Sequence, residues 1–278
     1  MIRLRNILLM LVISLLLIEV ARARIMSWQR RVAISTTTST STDTNAYTFL
    51  YTMGNTNGNL LVDEGGGWSA TNAGPIQVIA WTNQNGIIRK AFDSDGLDDQ
   101  IVIADSAKKL FSQSSAATIG GWFKPQRKPS GTATEFYFGT TTSAGGASRF
   151  TLRSNSNGWS CILRDTAGGS QYVTPNVTAS AFVTNQWYFV LGSFDSSGVY
   201  LSVNATQVSS IAQAFTNIEA NASLTPPGIM HFQYTTPAFF ADGVARYVFC
   251  QSNTAMSASA QTNLYNISAP WSDTLGGL

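Results

Sequence analysis

Short apolar runs separated by polar turns recur along most of the chain, and almost none carries a helical period. The runs lie at 88–92, 100–104, 117–124, 134–138, 149–153, 159–164, 171–174, 187–194, 199–204, 229–232 and 244–250. Each is rich in β-branched or aromatic residues, which favour a pleated, half-buried surface. Between them stand turn-forming stretches: Ser-Asn-Ser-Asn-Gly at 154–158, Ala-Gly-Gly-Ser at 167–170, Asp-Ser-Ser-Gly at 195–198 and Pro-Pro-Gly at 226–228. Strands this short and this regularly spaced predict an all-β sandwich or barrel. The run Trp187-Tyr188-Phe189-Val190-Leu191 is apolar at every position. That predicts a central strand covered on both faces, in preference to an exposed aromatic face. One helical pattern remains, at 257–266, with Met256, Ala260 and Leu264 on one face.

The pattern also divides the chain. Residues 1–23 read as a secretory signal peptide: Arg3 and Arg5 open it, an apolar run fills 7–18, and Ala21-Arg22-Ala23 offers a cleavage site. The run is shorter than the roughly 20 apolar residues of a membrane span. Met26 is an alternative start that would leave the chain without a leader. Residues 24–46 hold Arg24, Arg30, Arg31 and a Ser/Thr tract, too polar to fold alone, and are expected to form a flexible arm. Residues 47–86 are expected to be a small β annex, 87–270 the main domain and 271–278 a tail.

Charged residues make up only 12% of the chain, about half the usual share. Ser, Thr, Asn, Gln and Gly carry the polarity, which suits extracellular proteins and virion parts. Removing residues 1–23 takes Arg3, Arg5, Arg22 and Glu19 and leaves 14 basic and 14 acidic residues. With no basic patch interleaved with aromatics, nucleic acid is not an expected partner. Cys161 and Cys250 form one disulfide in an oxidising compartment, or stay as two packed thiols.

Four blocks together resemble the laminin-G-like branch of the concanavalin A-like jelly rolls, the group that includes pentraxins. They are FDSDGLDDQIVIAD (92–105), TIGGWFKP (118–125), NQWYFVLGSFDSSGVYLSVN (185–204) and GVARYVFCQSNTAMSASAQTNLY (243–265). The resemblance covers about 88–266 and implies a two-sheet antiparallel jelly-roll β-sandwich with one short C-terminal helix. Two departures stand out. Asn204-Ala205 replaces the group's usual Asn-Gly, which predicts a longer turn or another type. Ala245-Arg246 stands where the group usually carries an Asp-Glu pair.

Many members of that group bind calcium. Asp93, Asp95, Asp98 and Asp99 offer hard oxygen ligands close together, and Asp242 is a candidate partner. The competing reading is turn chemistry, since Asp before Gly accepts backbone hydrogen bonds. With the Asp-Glu pair missing, the metal set is taken as Asp95, Asp98, Asp99 and Asp242, with calcium as the cofactor to test.

Hydrolysis needs two carboxylates flanking a sugar. Glu19, Glu64, Glu135 and Glu219 have no acidic partner two or four residues away in a strand. The lone His231 has no Gly-x-Ser-x-Gly nucleophile nearby in sequence. The chain therefore reads as no enzyme. Sugars stack on aromatic faces and bond to amides, so the candidate glycan-binding residues are Trp159, Tyr172, Asn155, Asn157 and Gln171. Core packing is the alternative for Trp159. Sequons at Asn176, Asn204, Asn221 and Asn266 are candidate glycosylation sites. The expected function is an extracellular, non-catalytic recognition module binding a glycan or cell-surface protein. It is secreted, without a membrane span after signal removal, and able to form homo-oligomers. A virion structural or host-attachment protein is the alternative, and a glycan hydrolase the third reading.

Overall fold

The computed structural model describes residues 49–51, 56–57, 60–61, 70–72, 77–82, 88–99, 101–104, 114–130, 133–141, 148–164, 171–174, 182–212, 218, 226–231 and 240–270. All of them fall in the unit Thr44–Leu278. The leader 1–23, the arm 24–46 with Met26, Asn176, Asn221 and the tail 271–278 lie outside the described residues.

The described chain is two antiparallel sheets and one helix. In chain order the strands are β1 (Phe49–Tyr51), β2 (Thr56–Asn57), β3 (Leu60–Leu61), β4 (Ala70–Asn72), β5 (Gln77–Thr82) and β6 (Ile88–Asp95). Next come β7 (Ile101–Ile103), β8 (Ala117–Pro125), β9 (Thr134–Thr141), β10 (Ser148–Asn155), β11 (Gly158–Arg164) and β12 (Gln171–Val173). β13 (Tyr188–Asp195), β14 (Gly198–Val203), β15 (Thr206–Ala212), β16 (Gly228–Ile229) and β17 (Asp242–Ser252) precede helix α1 (Ala258–Ser268). One sheet runs β15-β14-β13-β8-β17-β6-β5, with β1 also paired to β17; the other runs β12-β11-β10-β9-β16-β7-β4-β3-β2. The 47–86 segment thus adds strands to both sheets. Among the described residues no helix is long and apolar enough to cross a membrane.

Alternation along the strands builds the core. Ile119, Phe123, Tyr188, Val190, Ala245, Val248 and Cys250 of one sheet face Tyr137, Phe138, Phe150, Leu152, Trp159 and Cys161 of the other. The opposite face of the first sheet is also covered. Trp122, Phe189, Leu191, Tyr247 and Phe249 pack with Met256 and Leu264 in a second cluster under α1. That is why 187–191 is apolar throughout: β13 is buried from both sides. Trp122 is fully buried and donates from Nε1 to Ser268 Oγ at 2.9 Å.

β17 serves both clusters because it carries a bulge. Its pairing with β8 shifts between Arg246 and Phe249, and Tyr247 takes φ +52°. A bulge adds one residue to a strand and re-aims its side chains. Ala245 consequently faces the inter-sheet core, while Arg246 Nη1 donates to Lys90 O at 2.9 Å.

Helix α1 starts where expected, because the Ser257 hydroxyl caps Ala260 N. The buried face is Gln261, Leu264 and Ser268 rather than the Ala260 row. Gln261 turns inward because its side-chain amide bonds to Met256 O at 2.9 Å. β15 had no apolar signature in the sequence: its burial alternates only weakly, as an edge strand's does.

The Asn204-Ala205 turn corrects an expectation. Val203 pairs with Thr206, so the loop has two residues, and both take positive φ, 50° and 61°. This is the tight primed turn that Asn-Gly would make, adopted without the glycine. Asn204 anchors it: Phe189 N donates to its Oδ1 at 3.0 Å, and its own N–H donates to Phe189 O at 2.8 Å. Ala205 bears the left-handed strain. Ala205→Gly is therefore expected to stabilise the fold by about 0.5–1 kcal/mol. Urea unfolding would register this as a higher midpoint at unchanged slope; an unchanged or lower midpoint contradicts the strain.

Cys161 and Cys250 are both free and buried in this structure. Burial pushes the Cys161 thiol far up, holding it as a neutral apolar group.

Candidate functional site

The end of β6 turns through Asp95–Asp99 and lies against the start of β17. The ladder sets Asp242 opposite Asp95. Gly96 takes φ +72°, and a Cβ there would sit 2.7 Å from Asp242 Cβ and 2.9 Å from Arg127 Nη2. Only glycine lets the turn seat this closely. The acidic turn and Arg127 are thereby parts of one site.

A cavity of about 290 Å³ opens beside that contact, lined by Gly96, Arg127, Lys128, Thr134, Glu135 and Phe240 among others. Glu135 is buried, and both its oxygens are used. Oε1 accepts from Arg127 Nε at 2.7 Å, and Oε2 accepts from Tyr137 OH at 3.1 Å. Burial raises the Glu135 carboxyl above its ordinary value, opposed by Arg127 and Tyr137. The Arg127 side chain is still 46% exposed, and its Nη1 stands 3.9 Å from Asp242 Oδ2. Phe240 is half-buried, with the His231 ring stacked 6.1 Å away. His231 itself is buried, its Nδ1 3.0 Å from Ile229 O. The histidine packs behind the pocket wall.

Of the four residues expected to hold a metal, the structure gathers three. Asp95, Asp98 and Asp99 each bring one carboxylate oxygen within 4.8 Å of the others. Asp242 does not join them; its carboxylate is turned to Arg127. Turn chemistry is present as well, because Asp95 Oδ1 accepts from Leu97 N and Asp99 Oδ2 accepts from Asp95 N, both at 2.8 Å. Asp99 is buried, and its second oxygen has no partner among the described residues. Three carboxylates with one orphaned buried oxygen fit a hard cation better than they fit a bare turn. Burial, and beyond it the charges of its aspartate neighbours, raise the Asp99 carboxyl, with one backbone bond opposing.

The expected glycan residues fare unevenly. Trp159 is 1% exposed and packed among aromatic rings of both sheets, so neither face is open to a sugar. It is a core residue, because β11 turns it inward between the layers. Asn155 and Asn157 form the β10–β11 turn, where Asn157 N donates to Asn155 Oδ1 at 2.8 Å. The ladder sets Ser154 opposite Glu135 and Asn155 opposite Thr134, but neither asparagine is among the described residues that line the cavity. Gln171 and Tyr172 lie on β12, and their side chains are outside the described part. Of the sequons, Asn204 and Asn266 are exposed.

Sequence reasoning did not find Arg127, Phe240 or the anchoring role of Glu135. One signal was available: Glu135 is the only acid in the apolar strand TEFYFGTT, and a buried carboxylate needs a partner.

Residues 95–226 match the family model described as the concanavalin A-like lectin/glucanases superfamily. No curated protein sequence matches the chain. Among solved structures, the binding domain of botulinum neurotoxin serotype C1 superposes with a TM-score of 0.60 at 16% identity, covering 81% of this chain and 53% of that one. Botulinum neurotoxin type C, described as depending on interaction with two ganglioside molecules to enter cells, gives 0.59 at 14%, covering 82% and 52%. Trypanosoma rangeli sialidase, solved with the inhibitor DANA, gives 0.55 at 12%, covering 78% and 32%. The chain thus spans about half the length of the neurotoxin domains. These likenesses show the lectin-like jelly-roll fold. The closing block 243–265 lies beyond the matched residues, and the structure makes it β17, its exit turn and most of α1.

Proposed function

We propose that this chain, whose residues 95–226 match the model of the concanavalin A-like lectin/glucanases superfamily, is a non-catalytic carbohydrate-binding module. The observation that carries the reading is the cavity at the β6–β17 end. It combines one aromatic wall, hydroxyl and guanidinium donors and a carboxylate acceptor, the mixture that sugars require. The described dependence of a fold neighbour on gangliosides supports a glycan partner. The leader-like pattern of residues 1–23 and the low charge support secretion or display on an outer surface.

A hydrolytic role is disfavoured by the setting of Glu135, the carboxylate among the described residues lining the cavity. Its oxygens are engaged by Arg127 and Tyr137, and no second carboxylate stands among the described residues of the cavity lining to complete a catalytic pair. A glycan array probed with the full chain, with calcium and with EDTA, tests the proposal. Binding to a defined set of sugars without their turnover is expected; cleavage that Glu135→Gln abolishes would make it an enzyme instead.

Calcium at Asp95, Asp98 and Asp99 belongs to the same reading. It would supply the counter-charge that these crowded oxygens lack. Millimolar calcium is expected to raise the melting temperature at pH 7 and to have little effect near pH 4, where the carboxyls protonate. The direction follows from the pKa shifts. Asp93, Asp99 and Asp242 all have carboxyls raised above 3.8, chiefly by burial. Groups raised in the folded state contribute stability that is fully present below their unfolded values and lost as pH rises through the folded ones. Without calcium, stability should therefore increase as pH falls from neutral toward about 4. Asp99→Asn should give a similar gain at pH 7 and abolish the calcium response.

A further inference from the structure

An interrupted ion pair stands at the edge of the cavity, between Arg127, which lines it, and Asp242, which lies beside it. Arg127 is held in place through Nε by the buried Glu135 carboxylate, 2.7 Å away. Its outward edge is not satisfied. Nη1 stands 3.9 Å from Asp242 Oδ2, beyond hydrogen-bond range. No described residue accepts a hydrogen bond from either Nη, and none donates one to the Asp242 side chain. A donor fork and an acceptor therefore stand side by side, too far apart to bond each other.

A hydroxyl group suits that gap. Its oxygen accepts from Nη1 while its proton goes to Asp242, and an adjacent hydroxyl reaches Nη2. Neither a carboxylate nor a sulfate can donate to Asp242, and either would approach it with like charge. The surrounding field adds to the preference. Among the described residues at this end of the fold, Asp93, Asp95, Asp98, Asp99, Glu135 and Asp242 outnumber Lys124, Arg127 and Lys128, while the cavity lining itself carries Arg127, Lys128 and Glu135. A calcium ion on the turn would reduce the excess without reversing it. Phe240 on the cavity wall supplies an apolar surface for the C–H face of a ring.

We infer that this cavity takes an uncharged vicinal diol of a sugar ring, and that it rejects sugars bearing a carboxylate or sulfate. The inference rests on the carbohydrate-binding reading and narrows it to a ligand class and a site. It sets this chain apart from its fold neighbours, which were described with gangliosides and a sialidase inhibitor.

The test is a matched panel, read by calorimetry with the full chain in calcium and in EDTA. Neutral oligosaccharides are compared with the same oligosaccharides carrying a terminal sialic acid, uronic acid or sulfate. Neutral members should bind at least about tenfold more tightly than their acidic counterparts. Arg127→Ala and Asp242→Ala should each weaken neutral binding by tenfold or more, about 1.4 kcal/mol. Asp242→Asn, which keeps the shape and one acceptor oxygen, should weaken it less. Circular dichroism and melting curves establish that each variant is folded. Preference for the acidic members overturns the inference while leaving the carbohydrate-binding reading intact. So does neutral binding unchanged in folded Arg127→Ala and Asp242→Ala. No binding to any member overturns both.

Discussion

Trp159→Ala is expected to lower the unfolding free energy by about 3–5 kcal/mol, a fall in melting temperature of roughly 6–20 °C. The indole is 1% exposed and lies between the sheets. Tyr137 is 4.6 Å away between ring centroids, Phe182 5.5 Å, Tyr188 6.0 Å and Phe123 6.1 Å. Removing the ring deletes one side of all four contacts and opens a cavity that rigid β-strands cannot close. Trp159→Phe should cost much less. It keeps most of the packing and removes a buried Nε1 that has no acceptor. A Trp159→Ala protein that melts within about 2 °C of wild type but no longer binds sugar would reinstate Trp159 as a binding platform.

Glu135→Ala should cost about 2–4 kcal/mol and weaken sugar binding as well. The larger part is the buried Tyr137 hydroxyl, which loses the oxygen it donates to. The ion pair with Arg127 contributes less, because the guanidinium is 46% exposed and water screens it. Sugar binding falls because Arg127 is released from the geometry that presents its outer edge. Glu135→Gln separates the two effects. It keeps an oxygen for Arg127 and should retain most of the stability at pH 7. The pH dependence then identifies the carboxyl. Burial, the largest cause, raises Glu135 above its ordinary 4.5. The wild-type contribution is therefore fully present below about 4.5 and is lost as pH rises through the folded value. Urea midpoints of Glu135→Gln should climb less than wild type between neutral pH and 4.5. Parallel pH profiles would show that Glu135 titrates as it does in the unfolded chain.

Both residues were visible in the sequence, and both had their environments misjudged or left open there. Trp159 sits beside a polar turn in the chain, which suggested exposure, while alternation along GWSCILR left the inward face undecided. Glu135 has no acidic neighbour two or four residues away along its own strand, so the sequence gives it no catalytic partner. Its partners, Arg127 and Tyr137, include one from the loop after another strand, and Asp242 reaches the same guanidinium from a strand more than 100 residues later.

What local pattern governs was legible in advance. Strand periodicity, turn residues and the Ser257 cap are set by each residue's own backbone preference and its near neighbours. They were enough to predict an all-β sandwich or barrel, the doubly buried β13 and the terminal helix. The four blocks in order extended this to the lectin-like fold. Three things depended instead on which strands become neighbours. The Asn204-Ala205 hairpin closed tightly because Phe189 on the adjoining strand holds Asn204, enough to keep an alanine in a left-handed conformation. Asp242 stands outside the aspartate cluster and 3.9 Å from Arg127, although the ladder pairs it with Asp95. The pocket itself is made of side chains from the β6 turn, the loop after β8, β9 and the approach to β17, which meet only when the sheets are assembled. Pairing across such separations is decided by the global packing of the core, and no window of the sequence contains it.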